Sequence, residues 1–217
     1  MLAILDTGQP MDPLLALAGD APGATLLLGV IVIASGIGLF AAPALVERNL
    51  FRPHWLLPNR EYATLITSGF LHADLAHLLF NAITFWAFAF PLERSIGTPR
   101  FLALYFFGLL ASDAGTWLKH RFDPNYRCLG ASGAILAVLF AAIVYAPTSS
   151  IFIMPIPVPI PAPWFALGYL AYSLFASRWA RGGVNHDAHI SGALAGIAFV
   201  ALTDFDALAR AVRGVLG

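Results

Sequence analysis

No charged residue interrupts the stretch from Ala24 to Val46, and this constrains the chain more than any other feature. As a helix it rises about 34 Å, enough to cross a hydrocarbon layer ~30 Å thick. Further apolar runs follow at Leu75–Leu92, Phe101–Leu118, Gly130–Pro147, Trp164–Ser177 and Asp187–Thr203. Charged residues make up 11% of the chain, against about 25% in soluble domains. Backbone polar groups in lipid must be satisfied internally, so such runs are read as helices. The expected fold is therefore all-α and polytopic, a six-transmembrane-helix bundle with no internal repeat and no second domain. Residues 1–22 are expected to be an N-terminal tail, 23–204 the membrane domain, and 205–217 a C-terminal tail forming a short amphipathic helix.

The connecting segments exclude several classes. The first 22 residues hold Asp6, Asp12 and Asp20 but no Lys or Arg, which does not read as a cleavable signal peptide. Lys and Arg balance Asp and Glu at 12 each, giving no reason to expect a nucleic-acid partner. The single Cys128 excludes an internal disulfide framework. Glu47–Gly69 mixes Trp55 and Tyr62 with charges, as an interfacial loop lying on the membrane would. Glu93–Arg100 is expected to be a tight polar turn in which Glu93 and Arg94 tie spans two and three together. Ile151–Pro163 alternates prolines at 155, 157, 159, 161 and 163, and reads as an extended polyproline connector.

Length sets the depth of one residue. From Ser132 to Pro147 the fourth span rises only about 22 Å, so one of its ends must start inside the bilayer. The proline stop at its far end places the deficit at Ser132. Irregular backbone at that depth is tolerated only where it lines a wet cavity or is buried in protein. Ser132 thus belongs near the floor of such a cavity.

Two other spans bring polar groups to the same level. In span six His189, Gly192, Ala193 and Gly196 share one helix face, and Gly192 with Gly196 forms a small-xxx-small pattern that admits a close neighbour. Gly133, Ala137 and Ala141 form a matching stripe on span four. Spans four and six run in the same direction, so His189 and Ser132 lie at corresponding ends, as a serine and its general base would. In span two, His77 and Asn81 are four residues apart on one face. An asparagine amide, an imidazole N–H and the Ser132 backbone N–H are suitable donors for a tetrahedral oxyanion.

With His77-Leu-Leu-Phe-Asn81, Gly130-Ala-Ser132-Gly and Ala188-His189-Ile-Ser-Gly192 at successive even-numbered spans, the chain resembles the rhomboid family of intramembrane serine proteases. The resemblance extends over all six spans. It implies Ser132 as nucleophile, His189 as general base and then acid, and His77, Asn81 and the Ser132 amide as oxyanion hole. It also implies transmembrane protein substrates, a lipid bilayer as surroundings, and no metal or organic cofactor. One departure is Tyr62-Ala63-Thr64, where family members often carry a Trp-Arg pair. A Gly-x-Ser-x-Gly elbow after a strand is a poor alternative, because Ala134 occupies the last glycine position and no strand precedes it.

Other readings stay open beside this one. Ser132 as a helix cap and His189 as an interface hydrogen-bonder are the commoner fates of each residue alone. A catalytically silent relative that binds membrane helices without cutting them is the alternative function. A metal transporter using His72, His77, His186 and His189 is a third class, although it lacks the usual carboxylates or thiolates. Asp113, inside span three on the Ser132 side, is a candidate second support for a histidine, or equally a structural hydrogen-bonder. His72 and His186 are rim or substrate-contact candidates, and Cys128 is read as loop packing. The aromatics of span five and its following loop (Trp164, Phe165, Tyr169, Tyr172, Phe175, Trp179) form a gate or a lipid-facing belt.

Eight basic residues from Arg48 to Arg181 gather on the serine side and four (Arg94, Arg100, Arg210, Arg213) on the other. The positive-inside rule would turn the site toward the cytoplasm. The resemblance implies an outward-opening site with both termini cytoplasmic in a bacterial inner membrane, and this is the orientation adopted.

Overall fold

The computed structural model describes residues 19–153, 156–179 and 184–216; most of the expected N-terminal tail lies outside them. The described chain is mostly helical. Its first helix, α1 (Pro22–Phe40), stops short of the expected Val46. Pro43 lacks an N–H and disfavours helical backbone at Ala42, which sits at φ −142° and ψ 73°. The chain restarts as α2 (Pro43–Arg48) and turns through α3 (Thr64–Thr67) and a 3₁₀ turn, Ser68–Phe70.

Helix α4 (Leu75–Ile96) begins at Asp74, whose carboxylate accepts the His77 N–H at 2.8 Å. It runs through Pro91 and past the expected end at Leu92. The polar turn before α5 (Thr98–His120) shrinks to Gly97 alone, whose φ of +80° favours glycine. Glu93 is turned inward rather than binding that turn only. Its carboxylate accepts the Gly23 and Ala24 amides at 2.9 and 2.6 Å and the Thr98 hydroxyl at 2.6 Å. One buried acid therefore caps the start of α1 and pins it to the α4–α5 corner.

Helix α6 (Ser132–Tyr145) is the axis of the bundle, with every residue from Gly133 to Ala141 buried. After it, β1 (Ser150–Ile153) and β2 (Ile156–Pro161) form an antiparallel hairpin, where the sequence reads as a polyproline connector. Alternation reconciles the two. Ala162 N–H bonds Ser149 C=O at 2.9 Å and Ile160 pairs with Ile151, so even-numbered residues face β1. Pro159 and Pro161 turn their donor-less side away.

Helix α7 (Ala162–Trp179) leads to α8 (His186–Thr203) and, after a 115° bend, to the amphipathic α9 (Phe205–Leu216). Helix α8 packs into α6 and α5, α4 lies against α6 and α1, and α7 touches chiefly α8. Helices α1, α4 and α5 are each long and apolar enough to cross a membrane, and the bent α8–α9 pair makes a fourth if taken as one span. With 14 residues, α6 is only about 21 Å long.

Candidate active site

The site is built by one unusually close helix contact. A Cβ added to Gly192 would collide with the Gly133 carbonyl, and one on Gly196 with the Ala137 carbonyl. Glycine spacing on α8 thus lets its backbone rest directly on that of α6. The two helices start at the same level, and their first turns carry Ser132 and His189.

His189 Nε2 lies 2.9 Å from Ser132 Oγ. Its Nδ1 lies 2.9 Å from the hydroxyl of Tyr169 on α7, whose ring is nearly parallel to the imidazole with centroids 6.3 Å apart. The imidazole is held from both sides. If it accepts the serine proton at Nε2, its own proton sits on Nδ1 and the phenol oxygen accepts it.

Of the donors expected on span two, His77 is brought to the loop that leads into Ser132. The His77 ring lies against Gly130, where a Cβ would come within 2.7 Å of its Cε1; Gly130 holds φ at +125°. Only glycine fits both the space and the conformation. Asn81 is buried and gives one amide N–H to the His77 carbonyl at 3.1 Å, leaving its second N–H to donate. The first intrahelical bond of α6 is Ile135 N–H to Ala131 C=O, 3.0 Å. The amides of Ser132, Gly133 and Ala134 precede it at the positive end of the helix dipole.

Behind Ser132 lies a cavity of about 20 Å³ walled by Ser68, Ser112, Asp113, Cys128 and Asn185 among others. That is room for one water molecule. Asp113 Oδ2 is buried there without a hydrogen-bond partner, and no hydrogen bond joins Asp113 to a histidine among the described residues. Its expected support of a histidine is therefore not a direct contact; it faces the cavity.

Asn185, which drew no notice in the sequence, holds this wall together. It caps α8 by accepting the Ala188 N–H at 3.1 Å, and it donates to Thr116 Oγ1 at 3.0 Å and Cys128 Sγ at 3.4 Å. Burial first, and nearby Asp113 second, push the Cys128 thiol up to about 12 against the lowering effect of that last bond.

His72 and His186, expected at a rim, are both buried. His72 is fully buried, bonds Ser35 Oγ through Nδ1 at 2.9 Å, and meets the His77 ring edge-on at 4.8 Å. Burial, with His77 as the second cause, holds it down to about 3, so it is neutral. His186 packs edge-on against Tyr172 and His189. Among the described residues no group of three or more His, Cys, Asp or Glu is arranged to hold a metal ion. Of the span-five aromatics, Trp164, Tyr172 and Phe175 are exposed, Phe165 stacks on Tyr169, and the Trp179 side chain is outside the described set.

Sequence reasoning did not single out Asn185, and it read Tyr169 only as part of a gate or lipid-facing belt, not as a partner of His189. Asn185, three residues before Ala188, carries a legible capping signal. Tyr169 carries none, because its partner lies on another helix.

Fold and site together define a helical membrane protein that sets a serine against a histidine at the ends of two abutting helices. A family model described as Rhomboid domain matches residues 59–204, and the chain belongs to the rhomboid family. Among similar proteins, the one named "Putative rhomboid protease YdcA" from Bacillus subtilis is 41% identical over 37% of this chain and 39% of its own length. Rhomboid protease GluP of the same bacterium is 37% identical over 44% of this chain and 18% of its own length. The mitochondrial Rhomboid protein 1 of Saccharomyces cerevisiae is 30% identical over 69% and 45% respectively. The chain thus spans less than half the length of each of these relatives. The membrane-length helices and the family fit a multi-pass membrane protein; with relatives from both a bacterium and mitochondria, the bacterial inner membrane stays an expectation.

Proposed function

We propose that this chain is an intramembrane serine endopeptidase that cuts single-span membrane proteins near the membrane surface. The observation that carries the reading is the 2.9 Å approach of Ser132 Oγ to His189 Nε2. In this reading α1, α4, α5, α6, α7 and α8 are six spans, and the site opens away from the side holding both termini.

His189 Nε2 takes the Ser132 hydroxyl proton as Oγ bonds to the scissile carbonyl carbon. The carbonyl oxygen gains negative charge next to the Ser132 amide, the free Asn81 N–H and the His77 ring, which stabilise it. Collapse breaks the C–N bond, and the proton on His189 passes to the departing amine. A water, for which the cavity behind Ser132 has room, then gives its proton to His189 and its oxygen to the acyl carbon. His189 returns that proton to Ser132 Oγ as the acyl C–O bond breaks, leaving the carboxyl product and the free serine.

The test is reaction with a fluorophosphonate probe, together with cleavage of a single-span reporter, in detergent-purified protein. Wild type is expected to label and cut. Ser132→Ala should do neither, and His189→Ala should fall by several orders of magnitude. Wild-type protein that binds the reporter without labelling or cutting would instead make it a silent helix-binding relative.

A further inference from the structure

We propose that Tyr169 is a positioning residue that holds His189 in the tautomer able to accept the Ser132 proton. The inference rests on the reading of Ser132 and His189 as a catalytic pair and goes beyond it, since a pair alone does not fix which ring nitrogen is free.

Three observations carry it. The Tyr169 hydroxyl is 2.9 Å from His189 Nδ1, on the ring edge opposite Ser132. The rings are nearly parallel, at an interplanar angle of 27°, so the phenol restrains rotation of the imidazole as well as its proton. The phenol is itself wedged between Phe165 on its own helix, 5.8 Å away, and Phe140 on α6, 6.1 Å away. One side chain therefore ties α7 to the two helices that carry the reacting groups.

The chemistry suits the location. A carboxylate in this role would add a further ionisable group to the interior of the membrane domain, where unpaired charge is expensive. A phenol orients the imidazole without adding charge. Its oxygen accepts the Nδ1 proton both before transfer and while the imidazolium exists. The opposite tautomer, with the proton on Nε2, offers Ser132 no acceptor.

The experiment uses full-length protein in detergent, comparing wild type with Tyr169→Phe, which keeps the ring and removes the oxygen. Fluorophosphonate inactivation is resolved into kinact and KI. The His189 tautomer is read by nitrogen-15 NMR of histidine-labelled protein, assigned by difference against His189→Gln. In Tyr169→Phe, kinact should fall about 10- to 100-fold, the scale seen when the outer hydrogen-bond partner of a metal-bound histidine is removed, with KI changed by less than about twofold. The Nδ1-protonated fraction should drop in parallel. A folded Tyr169→Phe with wild-type kinact overturns the proposal, and so does a slow variant whose tautomer is unchanged, since the loss would then be one of packing. If Tyr169→Phe does not fold, the wild-type spectrum decides: a proton on Nε2 overturns the inference and one on Nδ1 supports it. Wild-type protein inert to the probe sinks the protease reading, whereas the tautomer signal needs no turnover and still judges Tyr169.

Discussion

Each polar residue around Ser132 has its partner chosen by geometry, and single substitutions should separate their roles. Asn81 spends one N–H on its own helix, and in the proposed mechanism the other would meet charge that develops only during reaction. Removing such a donor typically lowers kcat by about 10²- to 10³-fold. Asn81→Ala should therefore slow reporter cleavage on that scale with little change in KM, and an unaltered kcat would remove Asn81 from the oxyanion hole. Cys128 behaves differently. With its thiol pushed up to about 12, the reactive thiolate is scarce at neutral pH. Iodoacetamide at pH 7.5 should modify native protein far more slowly than the same protein unfolded in dodecyl sulfate, as measured by mass spectrometry. Equal rates would show that the thiol is not held among Asp113, Asn185 and the cavity wall.

At the scale of elements, the fold rests on two contacts of different kinds. The first is steric: α8 lies on α6 because Gly192 and Gly196 have no Cβ. Gly192→Ala must push the helices apart, and overpacking of this sort costs about 1–3 kcal/mol. It should lower the melting temperature and, by separating His189 from Ser132, reduce probe labelling more than stability alone explains. Normal labelling would mean that the helices are free to slide. The second contact is polar: Glu93 accepts two hydrogen bonds at the start of α1 and a third from Thr98 at the start of α5. Glu93→Leu leaves the Gly23 and Ala24 amides without their acceptor, and each buried orphan costs about 1–3 kcal/mol. The variant should therefore be less stable to heat while any folded fraction keeps its activity. The steric contact was legible in the sequence, because residues on one helix face repeat at fixed spacing and glycines mark close approach. The role of Glu93 was only half legible: its binding to Thr98 follows from neighbourhood, but its reach to residues 69 and 70 positions earlier has no local sign. The same distinction explains Tyr169, whose aromatic character showed in the sequence while its hydroxyl partner on α8 did not. The hairpin of β1 and β2 was missed because alternating prolines suit both polyproline and a strand edge, and only the pairing with Ile151 separates the two.

The whole molecule is organised from the inside outward around α6. This helix is too short to span a ~30 Å hydrocarbon core by itself, yet α4, α5 and α8 enclose it from Gly133 to Ala141. Burial in protein rather than lipid is what lets its irregular start, with Gly130 at φ +125°, sit at the depth of Ser132. Peripheral elements are held more lightly. Helix α7 touches mainly α8, through contacts that include Tyr169 with His189, Tyr172 with His186, the apolar stack around Tyr169, and a bond from Lys119 Nζ to the Ser177 carbonyl at 2.9 Å. Local opening follows the density of buried contacts, so hydrogen exchange should be graded accordingly. In detergent micelles, amides from Ile135 to Ala141 should be the last to exchange. Those of α7 and α9 should exchange well before them, and the Lys119→Ala variant should speed α7 without affecting α6. In the protease reading a substrate helix entering from the lipid would need some element to yield, and among the proposed spans α7, held chiefly by α8, is the candidate. Uniform protection across α6 and α7 would remove α7 as that element and leave the exposed aromatics Trp164, Tyr172 and Phe175 as an ordinary lipid-facing belt.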